Sequence, residues 1–354
     1  MEDDPLLVDS RIKLSIGTKH QGKADGQLSY PSGLAFDHHR GLLLVVEYQN
    51  HRVQVFSCGG DGDDGSFVSK LGKDGFQPGA FFFPYGIAID HDHDRILITD
   101  YGSHRLQSWS LSQQSFLTRI GEYGSGDLEF KRPRGIAIDN HHHRVVVADG
   151  DNHRLVFLSS IDLSFLFSLG GKQGSQPGEF HYPSCVAIDH DRHRIIVSDS
   201  GNHRVQVLSL IDGSFLFQFG DEGNQPGQFK TPHGVCIDNQ GRIIVADYNL
   251  NRLQSFTHQG HHISSFDCGT ESPLAVAFDE HRGLIAFSAN HRVHVIGANQ
   301  WLADTFTWRP DLHRYASSWI KQAVSTMTMI RSLVDESAMS MIPNEILFEI
   351  FSFL

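Results

Sequence analysis

Carboxylates and arginines recur at a fixed spacing along this sequence of 354 residues, in a pattern that could support acid–base catalysis. Five acidic residues each lie five positions before an arginine: Glu47, Asp100, Asp149, Asp199 and Asp247. Catalysis needs one asymmetric site rather than several similar copies. The spacing therefore favours a structural ion pair in each unit over a set of catalytic acids.

Histidine is also placed repeatedly, and clustered imidazoles are typical ligands of zinc or copper. Of the 23 histidines, ten occupy one kind of turn: His38, His39, His91, His93, His141, His142, His143, His190, His193 and His281. A metal site needs ligands that converge, whereas turns in different units are expected to be separated by the spacing of the units. The favoured interpretation is a solvated turn, so no metal ligand and no cofactor is predicted.

These residues belong to an internal repeat. The segment Pro31-Ser32-Gly33-Leu34-Ala35-Phe36-Asp37 recurs with its proline at positions 84, 133, 183, 232 and, in weaker form, 273. An element of the type Asn50-His51-Arg52-Val53 follows each copy. Each unit holds four short apolar stretches separated by turn residues, which predicts a four-stranded antiparallel sheet. Six such units predict an all-β fold, a six-bladed β-propeller.

The two ends of the repeat region are predicted to meet. The sixth unit has only three predicted strands, and residues 11–17 match the fourth strand of other units. We expect this N-terminal strand to complete the sixth blade and close the ring, which removes unpaired sheet edges. The propeller would then span residues 11–297, after a flexible N-terminus at 1–10.

One residue inside each proline–glycine segment varies while the frame around it repeats. These six channel-mouth positions are Ser32, Tyr85, Arg134, Ser184, His233 and Leu274. Loop residues expected on the same face are Lys131, Arg132, Tyr48, Tyr101, Tyr182 and Tyr248. Aromatic and arginine side chains are favoured at protein interfaces, and they also suit single-stranded RNA. The sequence therefore predicts a partner-binding face at the channel mouth.

The repeat resembles the NHL-repeat family. The resemblance is carried by the proline–glycine segments, the strand ends Val147-Ala148-Asp149 and Val245-Ala246-Asp247, and the asparagine–arginine elements. It implies a six-bladed propeller over residues 11–297. Function is implied less directly, because such propellers include substrate-recognition parts of ubiquitin ligases and RNA-binding modules, and related propellers include metal-dependent lactonases or lyases.

Protein binding is the function that the sequence favours among these. The formal charge of −12 argues against RNA, although the cluster Lys131-Arg132-Pro133-Arg134 keeps single-stranded RNA as the alternative. An enzyme of the lactonase or lyase type would need several ligands at the mouth, where only His233 is an obvious one. We therefore predict a non-enzymatic interaction module without catalytic residues or a small-molecule substrate.

Cysteine spacing and hydropathy give an expectation about compartment. The four cysteines form no C-x-x-C pair, and no run of 18 apolar residues occurs. We expect a cytoplasmic protein without a membrane partner.

The composition changes near residue 298, since all 34 glycines precede it. Apolar residues at helical spacing predict a helical tail over 298–354. Its last segment, 342–354, resembles the opening of an F-box, which docks the adaptor of cullin-type ubiquitin ligases. The docking residues would be Ile342, Pro343, Ile346, Leu347, Ile350 and Phe351. An ordinary amphipathic helix that docks on the propeller is the alternative.

Overall fold

A computed structural model describes residues 11–58, 65–298 and Trp301. The predicted flexible N-terminus and, apart from residues 298 and 301, the predicted helical tail with its F-box-like segment lie outside the described residues. Trp301 is buried and packs edge-on against Phe266, with 5.8 Å between the ring centroids. Among the described residues, no helix has the length and apolarity needed to cross a bilayer.

Strands dominate the described chain. In chain order they are β1 Ile12–Gly17, β2 Pro31–Asp37, β3 Leu42–Glu47, β4 Arg52–Ser57, β5 Phe67–Leu71, β6 Pro84–Asp90, β7 Arg95–Asp100, β8 Arg105–Ser110, β9 Phe116–Ile120, β10 Glu122–Tyr123, β11 Glu129–Phe130, β12 Pro133–Asp139, β13 Arg144–Asp149, β14 Arg154–Ser159, β15 Phe165–Gly170, β16 Pro183–Asp189, β17 Arg194–Asp199, β18 Arg204–Ser209, β19 Phe215–Phe219, β20 Pro232–Ile237, β21 Ile243–Asp247, β22 Arg252–Phe256, β23 His262–Asp267, β24 Val276–Asp279, β25 Leu284–Ala289 and β26 Arg292–Gly297. Short 3-10 helices span Tyr101–Ser103, Gly150–Asn152, Ser200–Asn202 and Tyr248–Leu250.

In the described residues, 24 of these strands form six four-stranded antiparallel sheets, which confirms the predicted all-β six-bladed propeller, while β10 and β11 form a separate parallel pair. Blades one to five are β2–β5, β6–β9, β12–β15, β16–β19 and β20–β23. Blade six consists of β24, β25, β26 and β1. The first strands of neighbouring blades contact one another around the ring, and β24 of blade six contacts β2 of blade one. The six first strands therefore surround a central channel.

Burial follows the position of a strand within its blade. The middle strands are buried on both faces, as in β13 and β14, because neighbouring blades cover them. Outer strands alternate instead: in β15, Phe165 and Phe167 are partly buried while Leu166 between them is 44% exposed. The alternation is the period of two expected of a sheet with one solvated face.

The N-terminal strand closes the ring as predicted. β1 pairs antiparallel with β26, with Ile16 opposite Val293 and Gly17 opposite Arg292. This pairing gives blade six its fourth strand from the opposite end of the propeller sequence. Blade six is also the least regular blade, since β24 has four residues where the other first strands have six or seven.

The repeated acid–arginine pairs are structural in four blades. The arginine Nε donates to the carboxylate in Glu47–Arg52, Asp100–Arg105, Asp149–Arg154 and Asp199–Arg204. Each arginine also donates to backbone carbonyls of the preceding connector; Arg105, for example, reaches the oxygens of Phe76 and Ala80 at 2.7 Å. In blade five, Asp247 instead accepts the backbone N–H groups of Lys230 and Thr231.

A second set of buried pairs was missed by the sequence reasoning. The aspartate that ends a first strand pairs with the arginine that begins the next strand, as in Asp90–Arg95 at 2.8 Å and Asp139–Arg144 at 2.7 Å. The same pair recurs as Asp189–Arg194. Both sets of charges thus hold turns and connectors in place.

Candidate ligand-binding site at the channel mouth

All six channel-mouth positions lie at one end of the channel. Ser32, Tyr85, Ser184, His233 and Leu274 line a narrow cavity of about 50 Å³, and Arg134 joins Tyr85, His233 and Leu274 in a wider cavity of about 190 Å³ above it. Further tyrosines line the wider cavity: Tyr30, Tyr48, Tyr101 and Tyr248. The mouth is therefore a bowl of aromatic side chains that contains one arginine.

Glycine in the repeated segments allows the first strands to approach this closely. A Cβ added at Gly33 would lie 2.4 Å from the carbonyl oxygen of Tyr85, and one at Gly86 would lie 2.4 Å from that of Arg134. Both contacts are with backbone atoms of the next blade, and these atoms could move aside only if the strand itself shifted. The glycines thus allow the first strands to pack closely and keep the channel narrow. The variable residue that precedes each glycine lies at the channel mouth.

A hydrogen bond crosses the channel between opposite blades. The Tyr85 hydroxyl of blade two lies 3.1 Å from Nδ1 of His233 in blade five. Burial, and secondly the charge of Arg134, lower the pKa of His233 to about 3, so its imidazole is neutral near pH 7. Burial also raises the pKa of Tyr85. The floor of the bowl is therefore uncharged.

Arg134 brings the positive charge to the bowl. Its guanidinium carbon lies 5.8 Å from the ring centroid of Tyr85 and 5.6 Å from that of Tyr101, within cation–π range. Nη1 donates to the hydroxyl of Ser184 at 3.3 Å, whereas the buried Nε has no hydrogen-bond partner. Within residues 11–58, 65–298 and 301, no carboxylate forms an ion pair with Arg134.

Gly150 makes room for this arginine. The residue that follows the strand-two acid is a tyrosine in blades one, two and five, at Tyr48, Tyr101 and Tyr248, but it is glycine in blade three. A Cβ at Gly150 would lie 2.7 Å from Nε and 2.9 Å from Cδ of Arg134. The missing side chain therefore leaves the space that the stem of Arg134 fills.

Three tyrosines form the aromatic wall. Tyr85 and Tyr101 are stacked with 5.8 Å between ring centroids, and Tyr48 meets the two rings edge-on at 6.3 and 5.8 Å. Phe83 stacks on Tyr48 at 4.7 Å from outside. Burial raises the pKa of Tyr48. Such rings offer a rigid apolar surface with little side-chain entropy to lose on binding.

Histidines of the asparagine–arginine elements hold the rim of the bowl. Their Nδ1 atoms accept backbone N–H groups from the next blade, in Phe83 to His51 at 2.9 Å, Arg132 to His104 at 3.1 Å and Tyr182 to His153 at 3.2 Å. The three donor residues have φ between 52° and 56°, a left-handed conformation that is uncommon for bulky residues. These hydrogen bonds support a strained rim conformation.

Some predicted face residues lie away from the bowl. Tyr182 is exposed and packs on His153, and Lys131 lies over the ring of Tyr123 at 5.6 Å. Arg132 contacts Tyr101 at 5.6 Å, but its charge is paired with Asp151 at 3.3 Å. Two aromatic residues were missed, Tyr30 and Phe83. Each directly precedes a repeated proline. The residue before that proline varies between the units, and this variation in the sequence could have identified both aromatic residues.

Histidines at the other end of the channel are closer together than the sequence reasoning assumed. The rings of His38 in blade one and His91 in blade two lie 4.9 Å apart, and His38 stacks on His281 of blade six at 4.3 Å. The expected separation of turns in different blades is therefore wrong for these three. The turns follow the first strands, which lie nearest to the axis, where neighbouring blades are closest.

Comparison with known sequences supports the repeat assignment. The NHL repeat matches residues 28–56, 180–208 and 229–256. No curated protein matches the sequence.

Solved structures share the fold at low sequence identity. A gluconolactonase from Xanthomonas campestris has a TM-score of 0.60 and 14% identity, and the alignment covers 77% of this chain and 87% of that chain. A protein of unknown function from Bacteroides thetaiotaomicron has a TM-score of 0.57 and 17% identity, covering 79% and 73%. Hydrazine synthase of Kuenenia stuttgartiensis has a TM-score of 0.55 and 11% identity, covering 79% and 98%.

The first of these structures corrects the prediction that the chain is not an enzyme. That prediction is wrong as an exclusion, because the same ring of blades carries a gluconolactonase in another protein. A propeller fold provides the channel, and the side chains at its mouth decide between binding and catalysis. The three NHL-repeat matches lie in blades one, four and five of the six-bladed ring and the connectors that lead into them.

Proposed function

We propose that the aromatic bowl binds a protein partner through a carboxylate group of that partner, which pairs with Arg134. The observation that carries this proposal is a half-buried guanidinium between Tyr85 and Tyr101 with no carboxylate partner among the described residues. Other buried arginines of the propeller, such as Arg105 and Arg154, have an acid within 2.9 Å. Unlike these two arginines, Arg134 has no acidic partner among the described residues, and its buried Nε has no acceptor.

The surroundings of Arg134 favour an anionic ligand with an apolar part. Hydrogen bonds between a guanidinium and a carboxylate are about twice as strong as those between neutral groups. The neutral His233 and the Tyr85 hydroxyl add polar contacts without competing charge. Arginine and tyrosine are also the side chains that most often dominate protein interfaces. An aspartate, a glutamate or a chain-terminal carboxylate beside an apolar residue fits this arrangement.

A role as a substrate-recognition adaptor in ubiquitin ligation extends the proposal. Its support is the F-box-like sequence at 342–354, with Pro343 and Glu345 at the positions that the motif requires. In such an adaptor, the propeller would bind the substrate protein and the tail would dock the ligase. Binding of a purified ligase adaptor to the full chain, and its loss in the variant Pro343→Ala, tests this extension separately.

Selection from a displayed library of random peptides tests carboxylate recognition at the bowl. The wild-type protein is expected to enrich peptides with an acidic residue or a free C-terminal carboxylate, whereas Arg134→Gln and Tyr101→Ala are expected to lose the enrichment. Arg119→Gln and Tyr123→Ala are matched controls, because both residues are exposed and lie outside the bowl. Enrichment that is identical in Arg134→Gln would contradict the proposal.

Two other outcomes would replace the proposal with a different function. Tight binding of an oligouridine RNA that weakens steeply with salt and depends on Arg132 and Arg134 would assign the face to RNA. Hydrolysis of a sugar lactone by the purified protein, abolished in His233→Gln, would assign it to an enzyme of the kind found in the structurally similar gluconolactonase.

A further inference from the structure

A cluster of imidazoles lies at the end of the channel opposite the aromatic bowl. His38 and His39 are in the turn between β2 and β3, and His91 is in the turn between β6 and β7. Glu280 and His281 are in the turn between β24 and β25. Because first strands of adjacent blades are in contact, their turns bring side chains of blades six, one and two together.

The distances within the cluster are those of a metal site. Nδ1 of His39 and Nδ1 of His91 are 3.2 Å apart. Two nitrogens bound to one tetrahedral zinc ion, each at 2.0–2.1 Å, are separated by about 3.3 Å. One ring nitrogen of each of His38, His39 and His91 lies within 4.8 Å of the others, so a single cation can contact all three after small side-chain rotations.

Buried carboxylates lie next to these imidazoles and have unused acceptor capacity. Asp37 directly precedes His38 and is fully buried, yet its Oδ2 accepts no hydrogen bond and lies 3.7 Å from Nη1 of Arg40. Asp279 directly precedes Glu280, and its Oδ2 also accepts no hydrogen bond, with Nη1 of Arg282 at 3.2 Å. Negative charge behind histidine ligands is a common feature of metal sites.

We propose that His38, His39 and His91 bind a divalent transition-metal cation of the zinc type. Imidazole ligands suit zinc, copper and nickel, whereas calcium and magnesium require oxygen ligands. Three protein ligands leave a fourth position open for water or for Glu280. Glu280 is a candidate because its carboxylate lies within 4.8 Å of ring nitrogens of His38 and His281. The site is separate from the aromatic bowl and independent of the proposed function.

A cation at this site would link blade one to blade two, beside the blade that closes the ring. A ligand that binds only the folded state stabilises it in proportion to the logarithm of its concentration over its Kd. Zinc is therefore expected to raise the thermal unfolding temperature of the propeller. This provides a readout that does not depend on any activity.

Titration of the chelator-treated full-length protein with zinc chloride, followed by calorimetry, tests the site. The wild type is expected to bind one equivalent tightly, and His39→Asn and His91→Asn are each expected to weaken that binding at least tenfold. His141→Asn is the matched control, because His141 lies in the equivalent turn of blade three and, among the described residues, its ring contacts one other imidazole, that of His190 at 4.6 Å. It is expected to bind zinc like the wild type.

Two further measurements keep the test decisive. The cobalt-loaded wild type is expected to show the visible absorption of tetrahedral cobalt, and cobalt-treated His39→Asn is expected to lack this absorption. Because the His39 side chain is exposed, His39→Asn is expected to unfold at the same temperature as the metal-free wild type. Absence of a stoichiometric zinc site in the wild type would overturn the proposal. Equal zinc affinity in His39→Asn, His91→Asn and His141→Asn would also overturn it, since other histidines among the 23 of the chain would then bind the zinc.

Discussion

The Tyr85 hydroxyl and Nδ1 of His233 lie 3.1 Å apart and join blades on opposite sides of the ring. The main contacts between first strands connect neighbouring blades, whereas this hydrogen bond crosses the axis of the ring. The two side chains line both the narrow cavity and the bowl above it. The bowl is therefore a shallow site on a floor that two blades share.

Removal of this hydroxyl is expected to cost stability. Tyr85→Phe leaves the buried imidazole of His233 without its partner and should lower the free energy of unfolding by about 1 kcal/mol. Tyr48→Phe is the control, because no hydrogen bond of the Tyr48 hydroxyl occurs in the described structure. Urea unfolding at pH 7.5 measures both, and equal midpoints for the two variants would contradict the assigned link.

Substitution of Gly150 is expected to lower the affinity for the acidic peptide without lowering the stability of the propeller. In Gly150→Ala the new methyl group would lie 2.7 Å from Nε of Arg134, and the flexible arginine would move aside. We expect an affinity loss for the selected acidic peptide of about tenfold with a near-normal unfolding temperature. In an Arg134→Gln background the same change should have little further effect, because the two changes act through one contact. Additive losses would contradict this.

The repeated ion pairs are expected to carry stability and no ligand binding. Arg105 is 3% exposed, and its removal would leave the buried carboxylate of Asp100 without its cation. Arg105→Ala should therefore lower the free energy of unfolding by about 3–5 kcal/mol. Arg119→Ala on an exposed outer strand should change it by less than about 0.5 kcal/mol. A small effect at Arg105 in denaturant unfolding would show that the pair is dispensable.

Mild acid is expected to weaken the rim of the bowl. Burial lowers the pKa values of His51, His104 and His153, and their Nδ1 atoms must stay unprotonated to accept the rim N–H groups. The pKa values of these histidines in the folded state lie below that of an unfolded histidine. The folded state therefore binds fewer protons than the unfolded state as the pH falls below about 6.5. The stabilisation is present above about pH 6.5 and is lost as the pH falls.

His104→Gln tests this pH effect, because glutamine retains an acceptor without titrating. The groups facing His104 are Arg132, which lowers its pKa, and Asp151, which raises it. The variant should lose less stability than the wild type between pH 7.5 and 5.5, measured as the shift in urea midpoint. His20→Gln, at an exposed position, should behave like the wild type. An unchanged shift in His104→Gln would assign the acid sensitivity to other groups.

The repeat predicted the fold well because each blade is the same four-stranded sheet packed between two neighbouring blades. Two short elements recurring about every 50 residues identified the six first strands, and the unmatched segment 11–17 identified the closing strand. The channel-mouth positions followed from topology alone, since all first strands begin at one end. The six residues that vary within the repeated frame line the two cavities at the mouth.

The details of the site depended on distances across the ring, which spacing in sequence does not contain. The Tyr85–His233 hydrogen bond joins residues 148 positions apart, and it depends on the diameter of the channel. The space beside Arg134 arises from a glycine where three other blades have tyrosine, and its effect depends on the path of the Arg134 side chain. His38 and His91 were judged too far apart because the spacing of whole blades was applied near the axis.

Isothermal titration of one selected acidic peptide into wild-type, Arg134→Lys and Arg134→Gln protein tests the central claim most directly. A charge-assisted hydrogen bond contributes about 1.5–3 kcal/mol, so Arg134→Gln should weaken binding by at least about tenfold. Arg134→Lys should recover part of the affinity, because lysine keeps the charge but not the two-pronged geometry. Equal affinity in all three proteins, with the fold intact, would contradict the claim that Arg134 receives the carboxylate of the partner.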